Sequence, residues 1–161
     1  MIKALIIGSF DPPTLGHLDI IERTSKIFDH VDIVIGMNEK KKYLFSEKER
    51  MLMLEDMLGS IDNITLHVFS GLTADICKKL STNVIVRGIR NSKDFYSEYD
   101  MSLFNKLLYN DAETMFLPAN PLYATFSSSA VKEIAHFGGD FSTLVTPYVK
   151  EMVDKKFQSR I

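Results

Sequence analysis

Four short runs in this chain carry residues able to handle phosphate. The first is Gly8-Ser9-Phe10-Asp11-Pro12-Pro13-Thr14-Leu15-Gly16-His17. Its glycines and prolines make a tight turn whose backbone can approach a ligand closely, and it delivers His17 to the start of a helix. Helix N-termini attract anions through free N–H groups and the helix dipole, and a histidine there can donate a hydrogen bond to a phosphate oxygen. A lone Gly-x-His can equally do no more than cap the helix. The second run, Lys40-Lys41-Lys42, lies between Asn38 and Phe45 and would read alone as a solvated charge cluster. The third, Arg87-Gly88-Ile89-Arg90, places two arginines around a glycine. Arginine suits planar, bidentate phosphate recognition, and glycine lets the backbone close on a ligand; the plain alternative is surface pairing with Asp94 and Glu98. The fourth, Ser127-Ser128-Ser129, opens a helix, where serines cap and also present hydroxyls and N–H groups to anions.

These runs must be held by something, and the apolar pattern says what. Short β-rich runs occur at Ile2 to Ile7, Val31 to Ile35, Asn63 to Phe69, Val84 to Val86 and Thr114 to Leu117. Between them lie segments with helical spacing: His17 to Phe28, Ser46 to Leu58, Thr73 to Leu80, Asp94 to Leu108 and Ser127 to Phe137. Ser46-Glu47-Lys48-Glu49 is a capping box, Gly138-Gly139 stops the fifth helix, and Pro147 opens a last one over about 146–157. Gly71 and Thr73 read as a turn and an N-cap. Strand alternating with helix five times predicts a single-domain, Rossmann-like doubly wound sheet of five parallel strands with helices on both faces, spanning 1–161. In such sheets ligands bind outside the carboxyl ends of the strands, near the point where strand order reverses. The four runs follow the first, second, fourth and fifth strands.

Composition narrows the classes. The 161 residues suffice for one core without covalent staples, and a net charge of −2 argues against a general nucleic-acid binder. With two of the five arginines in one short run, local positive charge suits a small anionic ligand better than a polymer. A single cysteine, Cys77, excludes an internal disulfide and a cysteine-based zinc site. No apolar run approaches a membrane span and the N-terminus does not resemble a signal peptide, so a cytoplasmic protein is expected. His30, His67 and His136 lie in a turn, a strand and a helix end and are read as structural.

Gly-(Ser/Thr)-Phe-Asp-Pro followed by Thr-x-Gly-His resembles the signature of the nucleotidylyltransferase superfamily, with Ser9 where threonine is more frequent. The added Lys41 and Arg87-Gly88-Ile89-Arg90 narrow the resemblance to the phosphopantetheine adenylyltransferases, over Gly8 to about Glu133. The resemblance implies that His17 stabilises the α-phosphate of ATP in the transition state, and that Ser9 and Phe10 contact both substrates. It implies that Lys41 and Arg87 address the phosphate of 4′-phosphopantetheine and that Thr73 holds the pantetheine arm. ATP would meet Gly88, Ile89, Arg90 and Glu98, then Tyr123, Ala124, Thr125 and Phe126, and finally Ser127, Ser128 and Ser129. Lys41 and Arg90 would join His17 as catalytic groups.

The implied reaction is in-line attack of the phosphopantetheine phosphate on the α-phosphorus of ATP, giving dephospho-coenzyme A and pyrophosphate. The attacking group is already an anion, so the protein's task is to align two repelling anions and stabilise added charge. No clustered carboxylates are dedicated to a metal; Mg²⁺ is expected on the ATP phosphates. A homohexamer and inhibition by coenzyme A are implied by the resemblance alone. Alternatives are a sister transferase with another phosphorylated acceptor, a non-catalytic nucleotide sensor, and a flavin-binding protein of similar topology.

Overall fold

In the computed structural model, which describes residues 1–158, the chain alternates strand and helix as its apolar periodicity predicts. The last three residues of the predicted 1–161 span lie outside the described residues. Strands β1 (Lys3–Gly8), β2 (His30–Met37), β3 (Ile64–Ser70), β4 (Val84–Ile89) and β5 (Glu113–Pro118) form one sheet. All pairings are parallel and the order is β3-β2-β1-β4-β5, so the chain reverses direction across the sheet between β1 and β4. The helices are α1 (Leu15–Ser25), α2 (Glu47–Leu58), α3 (Thr73–Leu80), α4 (Ser92–Leu108), α5 (Ser128–His136) and α6 (Pro147–Gln158).

Period-2 alternation in the strands divides the interior into two layers. Ala4 and Ile6 of β1, Ile33 and Ile35 of β2 and Val86 of β4 pack with Ile21 of α1, Leu54 of α2 and Val153 of α6. Leu5, Val34 and Ile85, one residue out of phase, meet Ile76 and Cys77 of α3 on the opposite face. Right-handed crossovers require this division. The walk from β1 to β3 puts α1 and α2 on one face, and the return through β4 to β5 puts α3 and α4 on the other.

Several boundaries differ from the pattern-based reading. Strand β4 runs to Ile89, so Arg87 and Gly88 are strand residues rather than loop residues; pairing with β5 through Ile89↔Pro118 carries the strand across the glycine. Helix α1 starts at Leu15 with Thr14 as its cap, and it ends at Ser25, although Phe28 is still buried. Thr73 is the first residue of α3 and not its cap; Leu72 occupies the cap position without a side-chain bond, and Gly71, at φ 139°, makes the turn. The Ser46–Glu49 capping box is formed as expected. Cys77 is buried, which pushes its thiol up to about 11 and leaves it protonated at neutral pH. No helix among the described residues is long and apolar enough to cross a membrane.

Candidate active site

The carboxyl ends of β1 and β4, where the strand order reverses, open into two adjoining cavities of about 360 and 330 Å³. Gly8, Ser9, Arg87 and Glu98 line both, and so form the partition between them. The larger cavity collects His17, Gly88, Arg90, Tyr123, Phe126 and the three serines. The smaller collects Lys41 and Thr73, with Tyr43, Met101, Asn105 and Thr114. Residues from all five strand ends and from α1, α3, α4 and α5 therefore converge on one region.

His17 owes its orientation to the start of α1. As the third residue of the helix it reaches back, and Nδ1 accepts the backbone N–H of Thr14 at 2.9 Å. The Thr14 hydroxyl donates to the Phe126 carbonyl at 3.1 Å and accepts from the His17 N–H at 3.4 Å. An Nδ1 facing an N–H donor holds no proton, so the remaining proton sits on Nε2. Desolvation, reinforced by the guanidinium groups of Arg90 and then Arg87, lowers the imidazole pKa from 6.5 to about 4. His17 is thus a neutral hydrogen-bond donor, and the edge of the buried Phe10 ring packs against it at 5.0 Å between centroids.

Gly16 has a steric reason. A Cβ there would stand 3.1 Å from the Phe126 carbonyl oxygen, so any side chain would press the β5–α5 loop a few tenths of an ångström away from α1. That loop carries the serine run. Ser127 caps α5 by accepting from the Ala130 N–H at 3.0 Å, and the Ser128 hydroxyl donates to the Pro12 carbonyl at 2.7 Å. The serine run is thereby tied to the loop that carries His17.

The two arginines are held by carboxylates of α4. Arg87 makes two parallel hydrogen bonds to Glu98, at 2.6 and 2.5 Å, and also donates to the Ile7 carbonyl. Arg90 is paired with Asp94, Nε to Oδ2 at 2.9 Å. The ion pairs weighed as a surface alternative therefore exist, but within the cavities, where they orient the forks and balance their charge. Glu98 is the partner of Arg87 and not of Arg90. Among the described residues no group of three or more His, Cys, Asp or Glu side chains is arranged to hold a metal ion.

Of the residues singled out from sequence, Ile89, Ala124 and Thr125 do not line either cavity. The Ile89 carbonyl accepts from the Ala119 N–H at 2.8 Å and ends the sheet, while Ala124 and Thr125 follow the 3₁₀ turn Pro121–Tyr123. Lys41 lines the smaller cavity and its neighbours Lys40 and Lys42 do not. The other histidines lie elsewhere: His67 meets the buried Asp32 at 2.8 Å, His30 meets Thr65, and His136 packs on Phe137 and Phe157. Sequence reasoning missed Met101 and Asn105 and read Asp94 only as a surface partner of the arginines. They face the cavities from α4, whose long, nearly all-round mixture of apolar and polar residues gives no clear inward face.

Residues 5–134 match the cytidylyltransferase-like family model. The chain is 48% identical to the phosphopantetheine adenylyltransferase of Dictyoglomus thermophilum over 98% of its own length and 96% of that protein's. It is 44% identical to the phosphopantetheine adenylyltransferase of Finegoldia magna, covering 98% of each. A crystal structure from Vibrio parahaemolyticus, provisionally assigned as a nicotinate-nucleotide adenylyltransferase, superposes with a TM-score of 0.72 at 20% identity, over 100% of this chain and 98% of that one. That likeness establishes the fold.

Proposed function

The chain belongs to the cytidylyltransferase-like family and, within it, to the phosphopantetheine adenylyltransferases, and from that premise we propose how its site transfers the adenylyl group of ATP to 4′-phosphopantetheine. The observation that carries the mechanism is the pair of cavities sharing the Ser9–Arg87–Glu98 partition, with His17 on one side and Lys41 on the other. ATP occupies the larger cavity, its phosphates against the serine run, Arg90 and the N-terminus of α5. Phosphopantetheine occupies the smaller, its phosphate between Lys41 and Arg87 and its arm towards Thr73 and Asn105.

In that arrangement an oxygen of the acceptor phosphate attacks the α-phosphorus in line. A new P–O bond forms as the α–β bond breaks, and pyrophosphate leaves through the larger cavity. The attacking oxygen carries no proton at neutral pH, so no base is needed. Charge accumulates on the non-bridging α-oxygens, and the Nε2–H of neutral His17 is aimed to meet it. Lys41, Arg87 and Arg90 offset repulsion between the two anions, and the rigid strand and helix ends hold the geometry from which reaction proceeds. Mg²⁺ enters with ATP as part of the substrate. Asp94 and Glu98 are engaged by arginines, in keeping with a metal ligated chiefly by phosphates.

The exposed apolar side chains of α4, including Phe104 at 58% and Leu107 at 81% exposure, support self-association, which we read as the homohexamer the family resemblance implies. Cytoplasmic residence and inhibition by coenzyme A complete the reading; coenzyme A contains the pantetheine arm the smaller cavity would take. The test is pyrophosphate release from ATP and Mg²⁺ with 4′-phosphopantetheine, beside nicotinamide mononucleotide and glycerol 3-phosphate. Release with phosphopantetheine and formation of dephospho-coenzyme A are expected. Release only with another acceptor would overturn the acceptor, and ATP binding without release would overturn the reaction.

A further inference from the structure

Two buried charged residues outside the ligand-lining set join the Ser9 loop to the loop that carries Lys41. Asp11, 3% exposed, accepts the backbone N–H groups of Leu44 and Phe45, one on each carboxylate oxygen, at 2.8 and 2.9 Å. Lys132 of α5 approaches the same carboxylate at 3.4 Å. Arg50 of α2 is 0% exposed, donates to the Ser9 carbonyl at 2.8 Å and to the Met37 sulfur at 2.8 Å, and lies 4.2 Å over the Tyr43 ring. The Tyr43 hydroxyl in turn accepts the Asn38 N–H at 2.8 Å.

Lys41 therefore sits on a short excursion fastened at both feet. Tyr43 and Arg50 hold the outgoing strand at Met37 and Asn38, and Asp11 holds the return at Leu44 and Phe45. Between them, the Lys41 N–H closes a turn on the Asn38 carbonyl at 2.9 Å. Among the described residues Arg50 makes no ion pair with a carboxylate, and its Nε lacks a hydrogen-bond partner. A buried cation without a counter-charge is costly, and Leu or Met would serve the packing of a helix face better. What an aliphatic side chain could not do is bridge Ser9, Met37 and Tyr43 with one planar fork.

We propose that Asp11 and Arg50 are positioning residues that fix Lys41 relative to Ser9, and so set where the acceptor's phosphate rests against the ATP cavity. The inference rests on the acceptor reading given above. Neither residue touches substrate; both act through Lys41.

The test uses Asp11→Asn and Arg50→Lys in the full chain. Each keeps the approximate shape of its side chain but loses the two-point grip. With wild type active on phosphopantetheine, each variant is expected to raise the KM for that substrate about tenfold, the loss of a charge-assisted hydrogen bond, with the KM for ATP within about twofold. In a Lys41→Ala background, Asp11→Asn should add little further, because its effect runs through the missing lysine. Equal losses for both substrates, or full additivity with Lys41→Ala, would reduce the pair to general stability and overturn the proposal. Amide hydrogen exchange reads the clamp without any substrate. Exchange at Leu44 and Phe45 should quicken at least about tenfold in Asp11→Asn while the Ile33–Ile35 amides of β2 stay protected, and unchanged exchange overturns the clamp whichever acceptor the enzyme uses. If Asp11→Asn does not fold, Arg50→Lys carries the same tests, read at Asn38 and Lys41. An inactive wild type with a clamp intact by exchange would instead count against the acceptor reading alone.

Discussion

The backbone N–H of Thr14 points into Nδ1 of His17 at 2.9 Å, and that one contact fixes which nitrogen of the imidazole faces the cavity with a proton. Because the pKa is lowered to about 4, neutrality is maintained throughout the physiological range. In the free enzyme, nitrogen-15 NMR of labelled histidine should find Nδ1 unprotonated and Nε2 protonated at pH 7, and the same at pH 5.5. A titration near 6.5 would refute the assignment.

The same shift predicts an acid-side loss of stability. The folded-state pKa lies below the unfolded value of 6.5, so on falling pH the unfolded chain takes up a proton first. The contribution is zero above about pH 7, grows as pH falls through 6.5, and levels off below about 4. It amounts to at most about 3 kcal/mol lost. Urea unfolding of wild type and His17→Gln between pH 7 and 4.5 checks it: wild type should lose more stability over that interval. Parallel slopes would exclude His17 as the source.

Removing the donor should cost turnover rather than binding. His17→Ala is expected to lower kcat by about a hundredfold to a thousandfold, with the KM for ATP changed only a few-fold. His17→Gln, which offers an amide N–H, should fall between. Near-normal kcat in His17→Ala would remove the residue from the mechanism.

The division into two cavities predicts a division of kinetic effects. Arg90→Ala should raise the KM for ATP about tenfold or more, and Lys41→Ala the KM for phosphopantetheine by a similar factor, each being a lost charged contact. Steady-state kinetics with either substrate varied would check this. A crossed pattern, with Lys41→Ala acting on ATP alone, would place the substrates the other way round.

Away from the site, the start of α2 depends on a reciprocal cap. The Ser46 hydroxyl accepts from the Glu49 N–H at 3.3 Å, and the Glu49 carboxylate accepts from the Ser46 N–H at 2.7 Å. Ser46→Ala should lower stability by about 1 kcal/mol, or about 2–4 °C in melting temperature for a domain of this size. Scanning calorimetry would show it; an unchanged midpoint would mean the exposed helix end is satisfied by water.

Sequence alone determined what depends on local periodicity and residue chemistry. The alternation of β-rich runs with helical spacing specified a parallel doubly wound sheet, because only helical crossovers can return such strands in parallel. The glycine, serine, lysine and arginine runs pointed to a phosphate site by their chemistry, and most of their members line the two cavities. The tertiary structure decided which side chains meet. Arg87 belongs to a strand and is held by Glu98 on α4, eleven residues on, and Asp11 grips backbone amides more than thirty residues away. The tautomer of His17, the close approach of the Phe126 carbonyl to Gly16 and the partition of one site into two cavities are likewise relationships between segments. They arise only when strand ends converge at the reversal of the sheet, a convergence set by packing and chain handedness and carried by no single stretch of sequence.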